Sequence, residues 1–215
     1  MVDHVAVYLE EGKRRAFSCA LDWPGWCRSG KNEEAALASL GDYGRRYAKV
    51  ASQAGLELPD VKLKVVERIP GTSTTDFGAP DAKATSDWQP MEANEGSRLA
   101  ALVQASWTTL DRAAGGAPAL LPKGPRGGGR DRDQIIDHVL AAEAAYARKL
   151  GIRLKQPTFR DGQAIADMRE AIMEQLDRAW DGKLAIDKGW PPRYAARRIA
   201  WHVLDHAWEL EDKSA

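Results

Sequence analysis

The sequence predicts an α+β protein, in which a small β-β-α-β domain at residues 1–70 is followed by an all-α four-helix bundle at residues 93–215. Two patterns predict this class: apolar residues alternate along short segments of the first part, and every periodic segment from residue 94 onward has helical spacing. Between these parts, residues 71–92 are rich in Pro, Gly, Ser and Thr and follow neither period. We expect this stretch to be a linker between two units that fold separately.

In the first part, the residue pattern predicts a hairpin, a helix and a third strand. Apolar residues over 5–9 and 16–21 predict two strands, which the polar run EEGKRR joins as a hairpin. Pro24-Gly25 is typical of a turn. A helix is expected over 32–55, since an asparagine and two glutamates open this stretch and a glycine closes it. Alternation over 61–66 predicts the last strand.

Four amphipathic helices are expected in the second part, because apolar residues recur there every three or four positions. The apolar stripes run through 99–110, 135–146, 165–179 and 199–210. Aspartates at 131 and 133 are suitable caps for the second helix, the third is expected to end near Gly182, and prolines at 191 and 192 are typical of the start of the fourth. Four helices of such length pack as a bundle.

The charge balance disfavours broad electrostatic binding to nucleic acid or to an anionic membrane. Lys plus Arg and Asp plus Glu each number 31, and both parts of the chain are balanced. The longest strongly apolar stretch without a charge, Leu99–Leu110, has 12 residues, whereas a membrane span needs about 20. We therefore expect neither nucleic acid nor a membrane among the partners.

The chain has two cysteines, Cys19 and Cys27, which are eight residues apart. They form no disulfide framework and fit a reducing compartment, and charges enter too early in the first residues for a signal peptide. We therefore expect a cytoplasmic protein. We interpret Cys27 as a semi-buried turn residue rather than a reactive thiol, because no base lies near it in the sequence.

Three of the four histidines have helical phases that turn them towards the interior of the predicted bundle. His202 and His206 are four residues apart on the apolar stripe of the last helix, and His138 lies on the stripe of the second. Three imidazoles from two helices, with open positions left over, are typical of a catalytic site for one divalent metal. The alternative is that these are core histidines that form hydrogen bonds with their neighbours.

Two segments in this order, DHVLAAEAAYARKLG and RRIAWHVLDHAWELED, resemble the DinB-like family, and the resemblance covers residues 92–212. It implies a four-helix bundle in which His138, His202 and His206 bind one divalent transition metal, that is zinc, nickel, manganese or iron. The family includes thiol-dependent transferases and a mycothiol-dependent isomerase. A low-molecular-weight thiol is therefore an implied co-substrate.

The segment LDWPGWCRSGKNEEAAL in the first part resembles the HicB-like antitoxin domain. This family is a small α/β module that usually masks a toxin, while a separate segment binds DNA. In this chain the predicted bundle occupies the place of that DNA-binding segment. The resemblance implies a protein partner for residues 1–70.

Four charged residues of the last helix have alternative roles. Glu209 lies on nearly the same face as the histidine pair, where it is either an acceptor for an imidazole N–H, a proton carrier, or an ordinary solvated acid. Asp205 is expected to pair with an arginine at the edge of the stripe. Arg197 and Arg198 either attract an anionic substrate or form surface salt bridges, and we favour the salt bridges.

These residues support two functional hypotheses. The first is a metal-dependent enzyme that acts on a small molecule, with thiol transfer as the leading chemistry and hydrolysis as the next. The second is a non-enzymatic binding module, in which the HicB-like part holds a protein partner and the bundle is a platform for a homodimer, any metal in it being structural. Structural zinc usually has four protein ligands, so a fourth ligand from Glu209 would favour the second hypothesis.

Overall fold

The sheet precedes the long helices in the chain, as the predicted class requires. The structure is a computed structural model that describes residues 4–60, 62–123 and 129–214. Over these residues it contains one four-stranded sheet and seven α-helices. The α+β class is therefore confirmed.

The sheet is built from β1 (His4–Glu11), β2 (Ala16–Ala20), β3 (Cys27–Gly30) and β4 (Lys62–Pro70), in the order β3-β2-β1-β4. β1 and β2 form the expected antiparallel hairpin, and β4 lies parallel to β1. β3 is absent from the sequence prediction. It pairs antiparallel with β2 after a turn in which Gly25 has a φ of +92°, a conformation that favours glycine.

Two helices replace the single helix expected over 32–55, namely α1 (Glu33–Asp42) and α2 (Gly44–Gln53). Asn32 caps α1 as expected, since its side-chain oxygen accepts a hydrogen bond from the Ala35 N–H at 3.0 Å. The helix divides at Tyr43, which is flanked by glycines of low helix propensity at 41 and 44. The predicted order β-β-α-β is thus corrected to β-β-β-α-α-β.

The connecting segment (residues 71–92), which we expect to be a linker, contains α3 (Ser73–Phe77) and a short 3-10 helix (Thr85–Trp88). It packs on the sheet through Glu10, a fully buried residue of β1 whose carboxylate accepts hydrogen bonds from the Ala82 N–H at 2.9 Å and from the Thr75 hydroxyl. These short elements contain too few residues to show a period in the sequence.

Four longer helices follow: α4 (Ala93–Gly116), α5 (Arg132–Lys149), α6 (Gly162–Leu176) and α7 (Pro192–Ser214). Their apolar faces meet in one buried cluster, to which α7 contributes Ile199 and Val203. α6 ends before the predicted Gly182. The chain beyond it instead forms a bridge in which Met91 and Trp180 exchange two backbone hydrogen bonds of 2.8 Å.

The sheet and the long helices share a second buried cluster. On the sheet side it contains Val7 and Tyr47, and on the helix side Leu102 of α4 and Leu204 and Trp208 of α7. α7 therefore packs against the other long helices on one face and against the first part of the chain on another. This arrangement fixes the position of the histidines on α7.

The two cysteines lie opposite each other on adjacent strands. Cys19 of β2 and Cys27 of β3 are register partners with Cα atoms 4.1 Å apart, and they form a disulfide. The expectation of unpaired cysteines is wrong, because the turn between the strands brings two residues that are separated in sequence face to face. The number of cysteines consequently gives no support to a reducing compartment.

Within the residues that the structure describes, no helix has both the length and the apolar character needed to cross a bilayer.

Candidate metal centre

Two helices bring three histidines to one place. His202 and His206 lie one turn apart on α7, and His138 faces them from α5. Their neighbours Val139 and Val203 are fully buried in the cluster between the long helices, which holds the two backbones in place. We call His138, His202 and His206 the histidine centre.

The imidazole rings of the histidine centre are in mutual contact. The Nε2 atoms of His138 and His202 are 3.2 Å apart, and the ring centroids of His206 lie 5.0 Å from His138 and 4.8 Å from His202. One ring nitrogen from each histidine lies within 4.8 Å of the other two. The three predicted ligands are thus brought together in a geometry that can hold a single ion.

The histidine centre is largely shielded from water. His202 and His206 are each 9% exposed, and His138 is half-buried. Burial lowers the pKa of His202 well below its usual value, and the neighbouring His206 and His138 lower it further. The pKa of His138 is also lowered, mainly by burial and then by Arg130. Both rings are therefore neutral at neutral pH, which is the form that binds metals.

Glu209 interacts directly with the histidine centre. Its Oε2 lies 2.7 Å from Nδ1 of His206, and its Oε1 accepts a hydrogen bond from Lys213 Nζ at 2.6 Å. The hydrogen bond with His206 lowers the pKa of Glu209 to about 2, so this carboxylate is ionised. A carboxylate on Nδ1 holds a proton there and leaves Nε2 free to act as a ligand. Of the roles left open by the sequence, the contacts match the imidazole acceptor.

The chemistry of the donor set fits a divalent metal. Around a tetrahedral zinc ion with bonds of about 2.05 Å, ligand nitrogens lie about 3.3 Å apart. The separation of 3.2 Å between the Nε2 atoms of His138 and His202 is close to that value. Nδ1 of His202 is buried without a hydrogen-bond partner in the described part of the chain. The protein's own hydrogen bonds therefore leave this ring incompletely satisfied.

The α5 side of the histidine centre is lined by small residues. Ala141, Ala142 and Ala145 follow His138 at spacings of three, four and seven residues, which place them on its helix face, and all three are partly exposed. Further along α5, the ring of Tyr146 lies 6.1 Å from that of His202. Small side chains here leave room for a ligand beside the imidazoles.

Of the other candidate residues of α7, Asp205 and Arg197 have charged partners and Arg198 has none among the described residues. Asp205 pairs with Arg28 at 3.0 Å, as the prediction of an arginine partner requires. Arg197 forms a salt bridge of 2.6 Å with Asp87, but this pair is buried rather than on the surface. Arg198 forms no ion pair with the described residues, so the expectation of a salt bridge does not hold for it.

Three residues near the histidine centre are not among the site residues predicted from the sequence. Lys213 lies four residues after Glu209, and this helical spacing is a signal that could have identified the pair. Tyr146 lies eight residues after His138 on the same helix face, which is a weaker signal. Arg130 precedes α5, and its effect on His138 depends on how the chain enters the helix, which no sequence pattern specifies.

No protein-family model, curated protein or solved structure matches the chain. Its function therefore has to be inferred from the geometry and chemistry of the described residues.

Proposed function

We propose that residues 93–215 form a DinB-like four-helix bundle that binds one divalent transition metal through His138, His202 and His206, and that the protein is a metal-dependent enzyme acting on a small molecule. One observation carries this proposal. A nitrogen from each of three histidines on two helices lies within 4.8 Å of the others, with the Glu209 carboxylate behind one of them. Such outer carboxylates orient the histidines of metal sites.

A set of ordinary core histidines fits these observations less well. The Nε2 atoms of His138 and His202 meet at 3.2 Å, where two neutral rings share at most one hydrogen bond, whereas the His206 ring packs against both and directs its Nδ1 to Glu209 instead. Burial also keeps His138 and His202 in the neutral form, so the rings gain no ion pair from being placed together. A metal ion would use the nitrogens that face the common centre.

The ligand count favours a catalytic site over a structural one. Glu209 contacts Nδ1 of His206 and Lys213, so its two oxygens are engaged and do not supply a fourth ligand. Among the described residues, the possible ligand group contains the three histidines alone. Three protein ligands leave open positions, as in catalytic zinc sites. The alternative of a dimerising module with a structural metal therefore has less support.

When bound, the ion supplies Lewis acidity, which polarises a carbonyl group or lowers the pKa of a water or thiol ligand. The protein's own residues prepare the site for this chemistry. Glu209 fixes the proton of His206 on Nδ1, and the surrounding core excludes water from His202. Transfer of a low-molecular-weight thiol is the leading reaction class, by the resemblance to the DinB-like family, and hydrolysis is the next.

Elemental analysis of protein purified without a polyhistidine tag tests the metal proposal. We expect about one divalent ion per chain, because three converging imidazoles bind such an ion tightly. The His202→Ala variant should lose it. His4→Ala is the matched control, since His4 is the one histidine outside the centre, and it should retain the metal. Near-stoichiometric metal in His202→Ala would show that the ligands are different.

The enzyme proposal has its own test in the cobalt-substituted protein. A small thiol should change the visible spectrum, because open coordination positions accept it. Thiol consumption with an added electrophile should occur and should be lost in His206→Ala. A spectrum that responds neither to thiols nor to competing anions would mean that the site is closed, and the binding-module hypothesis would then replace the enzyme proposal.

A further inference from the structure

Arg198 is a buried cation without a counter-ion in the described part of the chain. It lies on α7 one turn before His202 and is 9% exposed, and its Nη1 atom is buried without a hydrogen-bond partner. Its neighbour Arg197 differs, since it forms a salt bridge with the buried Asp87. Burying a charge is costly unless it is paired, so the position of Arg198 requires an explanation.

Aromatic rings hold the Arg198 guanidinium beside the histidine centre. Its central carbon lies 4.8 Å from the ring centroid of Trp201 and 5.5 Å from that of Tyr146. The Tyr146 ring in turn lies 6.1 Å from that of His202. These contacts stabilise the cation in part, but they provide no acceptor for its N–H groups.

The surroundings of the histidine centre are positively charged. The three imidazoles bring no negative charge, and the Glu209 carboxylate is balanced by Lys213 at 2.6 Å. Arg198 precedes His202 by one turn of α7 and adds a further positive charge beside it. A divalent ion would add two further positive charges. An anionic ligand would balance this excess of positive charge around the histidine centre.

We propose that Arg198 binds the carboxylate of a small anionic substrate whose other end reaches the histidine centre. A planar carboxylate matches the guanidinium fork through two parallel hydrogen bonds, and the comparison with phosphate below tests this choice of anion. Arg198 and His202 are one turn apart, about 6 Å along the helix. The substrate is therefore short and carries two functional groups. This inference rests on the proposed function, because it specifies the substrate class of that centre.

Titrations of the full-length, cobalt-loaded protein with succinate and with propionate test the inference. Succinate carries a second carboxylate for Arg198, and propionate does not. We expect succinate to bind at least about ten times more tightly than propionate to the wild type, because a hydrogen-bonded charge pair stabilises the complex. In Arg198→Met this preference should disappear. Arg45→Met, which removes an exposed arginine of α2 that forms no ion pair with the described residues, should keep it.

Thermal unfolding separates a binding role from a structural one. Without added anion, Arg198→Met should melt at the wild-type temperature or above it, since it removes an unpaired buried charge. A fall of several degrees would indicate that the guanidinium is structural and would overturn the inference. Arg198→Lys is the second variant: it keeps the charge but loses the planar fork, so we expect weaker succinate binding with unchanged metal content.

The outcomes also separate this inference from the proposed function. A wild-type protein without stoichiometric metal overturns the metal proposal alone; succinate should then still raise the melting temperature of the wild type and not that of Arg198→Met. Normal metal content with equal succinate affinity in both proteins overturns the role of Arg198 alone. If inorganic phosphate binds as tightly as succinate, and its binding depends equally on Arg198, the proposal that Arg198 binds specifically a carboxylate is wrong.

Discussion

Burial makes two histidines of the centre reluctant to accept a proton, and this has a consequence for stability. The folded state lowers the pKa of His202 well below its usual value, chiefly through burial, and lowers that of His138 as well. In the unfolded chain these side chains titrate near a pH of about 6.5. Below that pH the unfolded state takes up protons that the folded state does not, so the free energy of unfolding decreases as pH falls.

We therefore expect the metal-free protein to be less stable at pH 5.5 than at pH 7.5, and His202→Gln to show a smaller loss. Chemical denaturation of both proteins at the two pH values measures this difference. Above about pH 7.5, His138 and His202 are neutral in both the folded and the unfolded state, so they should no longer make the free energy of unfolding depend on pH. His4→Ala serves as the control and should show the same change in the free energy of unfolding between the two pH values as the wild type. An equal change in the wild type and in His202→Gln would contradict the prediction.

At the scale of single residues, helical phase was sufficient to place His138, His202 and His206 together. The spacing of four residues and the apolar stripes determine which way these side chains point. The sequence left the role of Glu209 open, because the side-chain rotamer decides whether its carboxylate faces His206 or solvent. The Cys19–Cys27 pair was missed because it depends on the register of two strands, one of which has four residues.

At the scale of elements, the connecting segment is joined to α7 by a buried ion pair. Asp87 is fully buried, and both of its carboxylate oxygens lie 2.6 Å from Nη2 of Arg197. The same carboxylate accepts a hydrogen bond from the Ala84 N–H at 2.7 Å. Arg197 in turn lies over the Tyr8 ring of β1, at 5.3 Å from its centroid. One contact network therefore links the sheet, the connecting segment and the last helix.

Removing one member of this pair should be costly. We expect Asp87→Ala to lower the free energy of unfolding by about 3–5 kcal/mol, because it leaves a buried guanidinium without a partner. Asp181→Ala removes an exposed carboxylate that contacts the side chain and the backbone N–H of Lys183; it is the control and should have a much smaller effect. Urea denaturation measures both changes. Similar, small effects of the two variants would show that the buried pair does not hold the segment in place.

The long elements were predictable and the short ones were not. Helices α4, α5 and α7 begin close to the expected residues, since each has several turns of apolar periodicity and a recognisable start, such as the Asp131 cap. β3 and α3 have four and five residues, too few for either period to appear. The early end of α6 depends on the bridge between Met91 and Trp180, a contact between distant parts of the chain.

At the scale of the whole molecule, the first part of the chain shares a buried cluster with the long helices, which also have a cluster of their own. Leu102, Leu204 and Trp208 of the long helices are buried together with Val7 and Tyr47 of the first part. If the first part were removed, this face of α4 and α7 would be exposed to water. An apolar surface of this kind favours folding as one cooperative unit over the two independent units expected from sequence.

We therefore expect a single unfolding transition for the full chain. Tryptophan fluorescence should report in part on the shared cluster, because three of the eight tryptophans, Trp23, Trp26 and Trp208, lie in it, while far-ultraviolet circular dichroism should follow mainly the long helices. Coincident urea midpoints from the two signals are the expected result. Leu204→Ala, at a fully buried position between the parts, should shift both midpoints together. Two separated transitions, with only the first moved by Leu204→Ala, would instead establish independent folding units.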